Sequence, residues 1–184
     1  DLKAQAIFAS GDSIEKAQAL TFSGGVSFEG SGMVMRQINE NLIRYSIDNE
    51  MGYNDKFKFK YKNKAGEAVY YEISLNPIED FFLKSPVSKS TGLDIVINGG
   101  LLSSEESIVF LFSDQNNIAA SYTLNGPTTS IEFHLPVDEL QNLTAGKGKL
   151  YLVKKQLKNE KLNLRDIHSE IEYYTKDVEI EIEE

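Results

Sequence analysis

"FKFKYKNKAGEAVYYEISL", residues 57–75, alternates Phe57, Phe59 and Tyr61 with Lys58, Lys60 and Lys62. Rings interleaved with cations suit a single-stranded nucleic-acid platform, where bases stack and phosphates are neutralised. Period two also describes any strand with one buried face. The turn separates the two readings. "NKAGE" puts Gly66 third in a three-residue loop, the position that takes a left-handed residue and makes a bulge. Closing Asn63 opposite Glu67 then pairs Phe57 with Ile73, Phe59 with Tyr71 and Tyr61 with Val69 on one face. The other face pairs Lys58 with Glu72, Lys60 with Tyr70 and Lys62 with Ala68. A one-residue slip would set Phe57 against Glu72 and send the rings to water. The stretch is expected to be a core hairpin.

The same alternation recurs along all 184 residues, punctuated by Gly, Asn and Asp, which predicts an all-β chain without βαβ units. Expected strands are 4–8, 20–28, 33–38, 42–47, 57–62 and 68–75, then 93–97, 108–112, 118–124, 130–135, 150–157 and 170–182. Capping-box spacing from Asp12 to Glu15 allows one early helical turn before "KAQAL". "NPIEDFFLKSPVSKSTG" interrupts the alternation and holds Pro77 and Pro86. It is read as a boundary between a β-sandwich domain over 1–85 and a second sandwich over 86–184. The alternative is a single jelly roll. In "SIVFLFSDQNNIAASYTL", Val109 and Leu111 back Ile108, Phe110 and Phe112, so that strand is expected to be central and covered on both sides. "SIEFHLP" puts Ile131, Phe133 and Leu135 inward. In "DVEIEIEE", the glutamates alternating with Val178, Ile180 and Ile182 deter edge-to-edge pairing.

The net charge of −9 argues against a phosphate-binding surface, so no nucleic-acid partner is expected. The zero cysteine count removes disulfides, zinc–thiolate centres and thiol nucleophiles. No apolar run reaches membrane-span length, so no transmembrane segment is expected. A lipid anchor upstream of Asp1 is compatible with a chain that begins without Met.

Catalytic motifs are sparse. The two histidines are His134 and His168. "RDIHSE" offers Asp166, His168 and Ser169, but neighbours this close on one segment seldom converge as a triad. Glu105 with Glu106, and Asp138 with Glu139, are adjacent carboxylates with nothing to place either pair across a cleft. "SGGVSFEGSG" and "AGKGK" match no phosphate-loop spacing. The chain is therefore read as a non-enzyme. "IDNEMGYND" gathers Asp48, Asn49, Glu50, Asn54 and Asp55, oxygen ligands of the hardness calcium prefers, and structural calcium is the expected ion. Turn chemistry accounts for the same residues. Tyr70, Tyr173 and Tyr174 each adjoin an inward neighbour, which makes them the expected exposed, ligand-facing tyrosines.

From Gly92 onward the order is strand, Gly-Gly turn, long hairpin, "IEFHLPVDEL", then "LTAGKGKLYLVKKQ". This resembles the immunoglobulin-like modules of bacterial surface proteins and lipoproteins, with Leu140, Leu143, Gly148 and Tyr151 at similar positions. The Cys-free, Lys/Asn/Glu/Ile/Tyr-rich composition is similar to cell-envelope proteins of the Bacteroidetes type. In that setting Asp12-Ser13-Ile14 resembles a short O-glycosylation motif of exported proteins. The resemblance implies two tandem immunoglobulin-like sandwiches at the cell envelope or outside the cell, meeting a protein or glycan at the cell surface. The role it implies is adhesion, assembly or spacing, with a carbohydrate-binding module as the alternative.

Overall fold

A computed structural model describes residues 2–13 and 16–184, and it is all-β. The chain divides into two compact units, Asp1–Ser74 and Leu75–Glu184. Ile14 and Glu15 lie outside the described residues, and with them the expected helical turn and the end of the Asp12-Ser13-Ile14 motif.

The first unit holds β1 (Leu2–Ile7), β2 (Ala9–Ser10), β3 (Gln18–Ala19), β4 (Val26–Phe28), β5 (Ser31–Gly32), β6 (Val34–Asn39), β7 (Leu42–Asn49), β8 (Lys56–Lys62) and β9 (Ala68–Ser74). They form a three-stranded sheet in the order β1-β7-β6, a four-stranded sheet β5-β4-β8-β9 and the small pair β2-β3. The opening hairpin has the register expected of it, from Phe57 opposite Ile73 to Lys62 opposite Ala68. Gly66 has φ +81, and its N–H donates to the Asn63 carbonyl at 2.9 Å. Asn63 Oδ1 accepts from Ala65 and Glu67, so one side chain satisfies the turn's inward N–H groups.

The aromatics of β8 build the core. Phe57 is buried and stacks on Phe28 at 5.7 Å, while Phe59 meets Phe28 at 4.8 Å. Half-buried Tyr61 contacts Phe22 and Phe8, which in turn meet buried Tyr45 of β7. Phe8 thus meets a ring from each of the two larger sheets edge to face, a geometry their quadrupoles favour. The lysines stay outside, with Lys58 Nζ 2.9 Å from Glu72. The strand expected over 20–28 is cut to Val26–Phe28, because the chain turns at Gly25 with φ +69.

The second unit holds β10 (Asp80–Leu83), β11 (Val87–Ser88), β12 (Leu93–Asn98), β13 (Glu106–Asp114), β14 (Ala119–Asn125), β15 (Glu132–Leu135), a 3₁₀ turn (Val137–Leu140), β16 (Gly146–Leu162), β17 (Arg165–Tyr174) and β18 (Val178–Glu183). Sheet β10-β12-β15 and the six-stranded sheet β11-β18-β16-β13-β14, with β17 also on β16, share one core. Ile95 and Ile97 come from the first, and Phe110, Leu152 and Ile182 from the second. The "NPIEDFFLKSPVSKSTG" segment is no bare linker. Ile78 and Val87 are buried in that core, and Phe81 and Leu83 pack on it, because its apolar residues supply β10 and β11. The prolines precede those strands, where no ladder N–H is missed. Ile131 is an exposed residue ahead of β15, so "SIEFHLP" buries Leu135 and packs Phe133 inward but leaves Ile131 out.

One core position is a cation. Lys154 of β16 is 1% exposed, and its Nζ donates to the carbonyls of Gly99 (2.9 Å) and Leu101 (3.0 Å). Burial pushes its pKa down, opposed by nearby Glu106. Asp114 closes the β13–β14 hairpin. Its carboxylate accepts from the N–H groups of Asn116 (2.8 Å), Ile118 (2.9 Å) and Thr144 (2.7 Å). Burial pushes its pKa up, but the hydrogen bonds from Thr144, Ile118 and Asn116 prevail and bring it to about 2.

Candidate functional site

The outward face of the six-stranded sheet carries a group of ion-paired and hydrogen-bonded side chains. The single strand expected over 170–182 is two strands. β17 pairs with β16 from Leu162 back to Val153, and β18 takes over the same edge from Leu150 to Gly146. Between them Thr175 replaces ladder contacts, its hydroxyl accepting from Leu152 N–H at 2.9 Å and its own N–H donating to the Leu152 carbonyl. The break opens a shallow depression of about 440 Å³ lined by Ser113, Lys149, Tyr151 and the segment Tyr174–Asp177.

Parity places these side chains. In β16 the even positions Leu150, Leu152 and Lys154 face the core, so Lys149, Tyr151, Val153 and Lys155 face outward. The same rule puts Val109, Leu111 and Ser113 on that face of β13, and Glu172 and Tyr174 on that of β17. Val109 and Leu111 are half-buried, so β13 is central but covered by a second layer on one side only.

Ion pairs frame the depression. Lys149 Nζ is 2.7 Å from Asp177, and their hydrogen bond and charges raise the lysine pKa and lower that of the carboxyl. Tyr174 is 58% exposed, and its hydroxyl donates to Glu172 at 2.6 Å. That hydrogen bond raises the tyrosine pKa, helped by partial burial. Lys155 bridges Glu170 and Glu172 from beside it. The result is an oriented phenol next to half-buried Tyr151, bordered by charges that largely neutralise one another.

The three expected ligand-facing tyrosines behave differently. Tyr174 is outward; Tyr173, its neighbour in sequence, is half-buried against the core. Tyr70 belongs to the first unit and is 55% exposed, but Lys58 and Lys60 lie 5.9 and 5.4 Å from its ring centroid and occupy its face. Sequence reading passed over Tyr151 as a ligand contact. Its outward parity with Lys149 and Lys155 was the available signal.

The five expected calcium ligands run from the end of β7 into the loop that follows it. Asp48 and Asn49 are the last two residues of β7, Asp48 ion-pairs with Lys3 on the neighbouring β1 at 3.6 Å, and Glu50, Asn54 and Asp55 follow in the loop. Among the described residues no three acidic or histidine side chains come together as metal ligands. His134 pairs with Asp94, its partner across β12–β15, at 2.8 Å, and both are exposed. His168 bonds Asn159 across β16–β17. Asp166 is taken by Lys161, and Ser169 points to the face opposite His168, so "RDIHSE" forms no triad. No helix among the described residues is long and apolar enough to cross a membrane.

Comparison with known proteins finds no matching family model, no matching curated protein and no matching solved structure.

Proposed function

We propose that this chain is a non-enzymatic binding module of the cell envelope or extracellular space, built of immunoglobulin-like sandwiches and serving adhesion, assembly or spacing. The observation that carries the reading is the depression at the Thr175–Asp177 break, where Tyr174 and Tyr151 stand among neutralised ion pairs on an open sheet face. Such a surface works by complementarity rather than by enclosing a reaction. The Cys-free composition and the resemblance to exported modules support the location. A glycan ligand is the second reading, favoured by Tyr174. A sugar's apolar face stacks on an exposed ring, and its hydroxyls suit Ser113, Lys149 and Asp177.

Titration of the full chain with neutral oligosaccharides, followed by amide chemical shifts, tests the glycan reading. Saturable shifts confined to Ser113, Lys149–Tyr151 and Tyr174–Asp177, lost in Tyr174→Ala and retained in Tyr174→Phe, are expected. Shifts that map elsewhere or survive Tyr174→Ala refute it. Binding of a protein partner that Tyr151→Ala and Tyr174→Ala leave untouched refutes the broader assignment of this face.

A further inference from the structure

We propose that β14 is a dimerisation edge, pairing antiparallel with the β14 of a second copy of this chain across a two-fold axis. β14 ends its sheet, with β13 on one side and no strand on the other. Its hydrogen-bond parity is fixed at both ends. Asp114 N–H donates to the Ile118 carbonyl at 3.0 Å, and Gly126 N–H donates to the Glu106 carbonyl at 2.9 Å. Bonded pairs alternate in an antiparallel ladder, so Ala120, Tyr122 and Leu124 turn their N–H and C=O groups to β13. Ala119, Ser121, Thr123 and Asn125 therefore turn theirs to the open side. All four residues are exposed, and among the described residues none of these backbone groups has a partner.

Open edges template strand addition, and folded chains block it with charges, prolines or bulges. Among the described residues every other edge strand of four or more residues carries a charged side chain: Lys3 in β1, Arg36 in β6, Glu72 in β9, Asp80 in β10, Glu132 in β15 and Glu170 in β17. β14 carries none, and its register with β13 runs without a bulge. No residue from Gln115 to Ile131 is charged, the longest such run in the sequence. Pairing about a two-fold axis brings each charge near its own copy, so an uncharged strand suits a second copy and gives a charged foreign strand nothing to recognise. With the axis at Tyr122, Ser121 falls opposite Thr123 of the second copy and Ala119 opposite Asn125. Every open N–H then meets an open C=O. Ser–Thr and Tyr–Tyr neighbours across the axis are favourable pairs. The added strand also covers the remaining exposed flank of Tyr122 and Leu124, which are only partly buried against the core.

The test follows sedimentation and amide exchange of the full chain from about 1 μM to about 1 mM, a span that captures weak and moderate dimers. A monomer–dimer equilibrium is expected, and in the dimer the amides of Ala119, Ser121, Thr123 and Asn125 should gain about tenfold protection or more. Those of Ala120, Tyr122 and Leu124 should be protected at every concentration. Thr123→Lys supplies the charge that the other edges carry and should weaken association about tenfold or more. Ser121→Pro removes an open N–H but no bond to β13, so it should abolish the dimer and keep the strand content of the parent. A chain that stays monomeric throughout overturns the proposal and leaves the edge to a foreign strand. A dimer that leaves those four amides unprotected, or that Thr123→Lys does not weaken, overturns it as well.

Discussion

Lys154→Met probes the second unit at its one buried cation. The substitution keeps most of the aliphatic stem in the core and removes the ammonium that bridges the Gly99 and Leu101 carbonyls at 2.9 and 3.0 Å. Each hydrogen bond from a charged donor contributes about 1.5–3 kcal/mol, and a buried acceptor left without one carries a desolvation cost. Two effects offset this. Leu101 is 54% exposed, so its carbonyl regains water, and Met spares the cost of burying an ammonium. The balance is a loss of about 2 kcal/mol. Hydrogen exchange at the core amides of Ile97, Phe110 and Leu152 reads it locally, and about 2 kcal/mol corresponds to ~30-fold faster exchange where global opening governs it. Lys155→Met, one residue along on the outward face, is the control and should cost under about 1 kcal/mol.

The pH dependence adds a signature with a definite sign. Burial lowers the folded-state pKa of Lys154 below 10.5, so the unfolded chain holds more protons between the lowered value and 10.5. This component of stability therefore rises with pH across that window and is absent below it. Lys154→Met should lack the alkaline rise. Core exchange unchanged within about threefold of the parent, or an alkaline rise preserved in the variant, would refute the assigned role.

Asp114→Asn should lower second-unit stability at neutral pH, since an amide accepts the three N–H groups less well than a carboxylate. With a folded value of about 2 against an ordinary 3.8, the parent should lose this contribution as pH falls from 3.8 toward 2, and acid unfolding curves of the two proteins should converge there. Gly148→Ala would set a Cβ 2.7 Å from the Ser113 carbonyl and 2.9 Å from Ile182 Cδ1, so a cost of about 1–3 kcal/mol is expected by urea denaturation. Gly66→Ala meets nothing within 4 Å but must hold φ +81, so thermal unfolding of the first unit should report only about 1 kcal/mol of backbone strain. Arg36→Gln should stabilise the first unit by about 0.5 kcal/mol or less, because it removes a charge directly opposite Arg44.

Local chemistry carried the hairpins into view. Phe57–Lys62 and Ala68–Ser74 find their register because Gly66 and Asn63 settle the turn, and a slip would expel rings already committed to one face. The β13–β14 hairpin follows from Asp114 and Asn117 in the same way, with Asn117 at φ 61. Where apolar residues cluster among prolines, the pattern misled. Phe81, Leu83 and Val87 read as part of a linker, because short strands leave too few residues for a period to show.

Taken alone, the sequence determined the all-β class, the opening hairpin's pairing and the outward place of Tyr70 and Tyr174, all consequences of period two and turn stereochemistry acting over a few residues. Tertiary structure decided what depends on strands meeting from distant parts of the chain. The partner of Lys154 is a turn 55 residues away, the opposition of Arg36 and Arg44 requires the β6–β7 register, and the Tyr174 depression exists because β17 and β18 divide one edge of β16. A lysine in "LVKKQLK" looks solvated until the ladder turns it inward. The physical reason is that alternation specifies which residues share a face, while only long-range pairing specifies what that face meets.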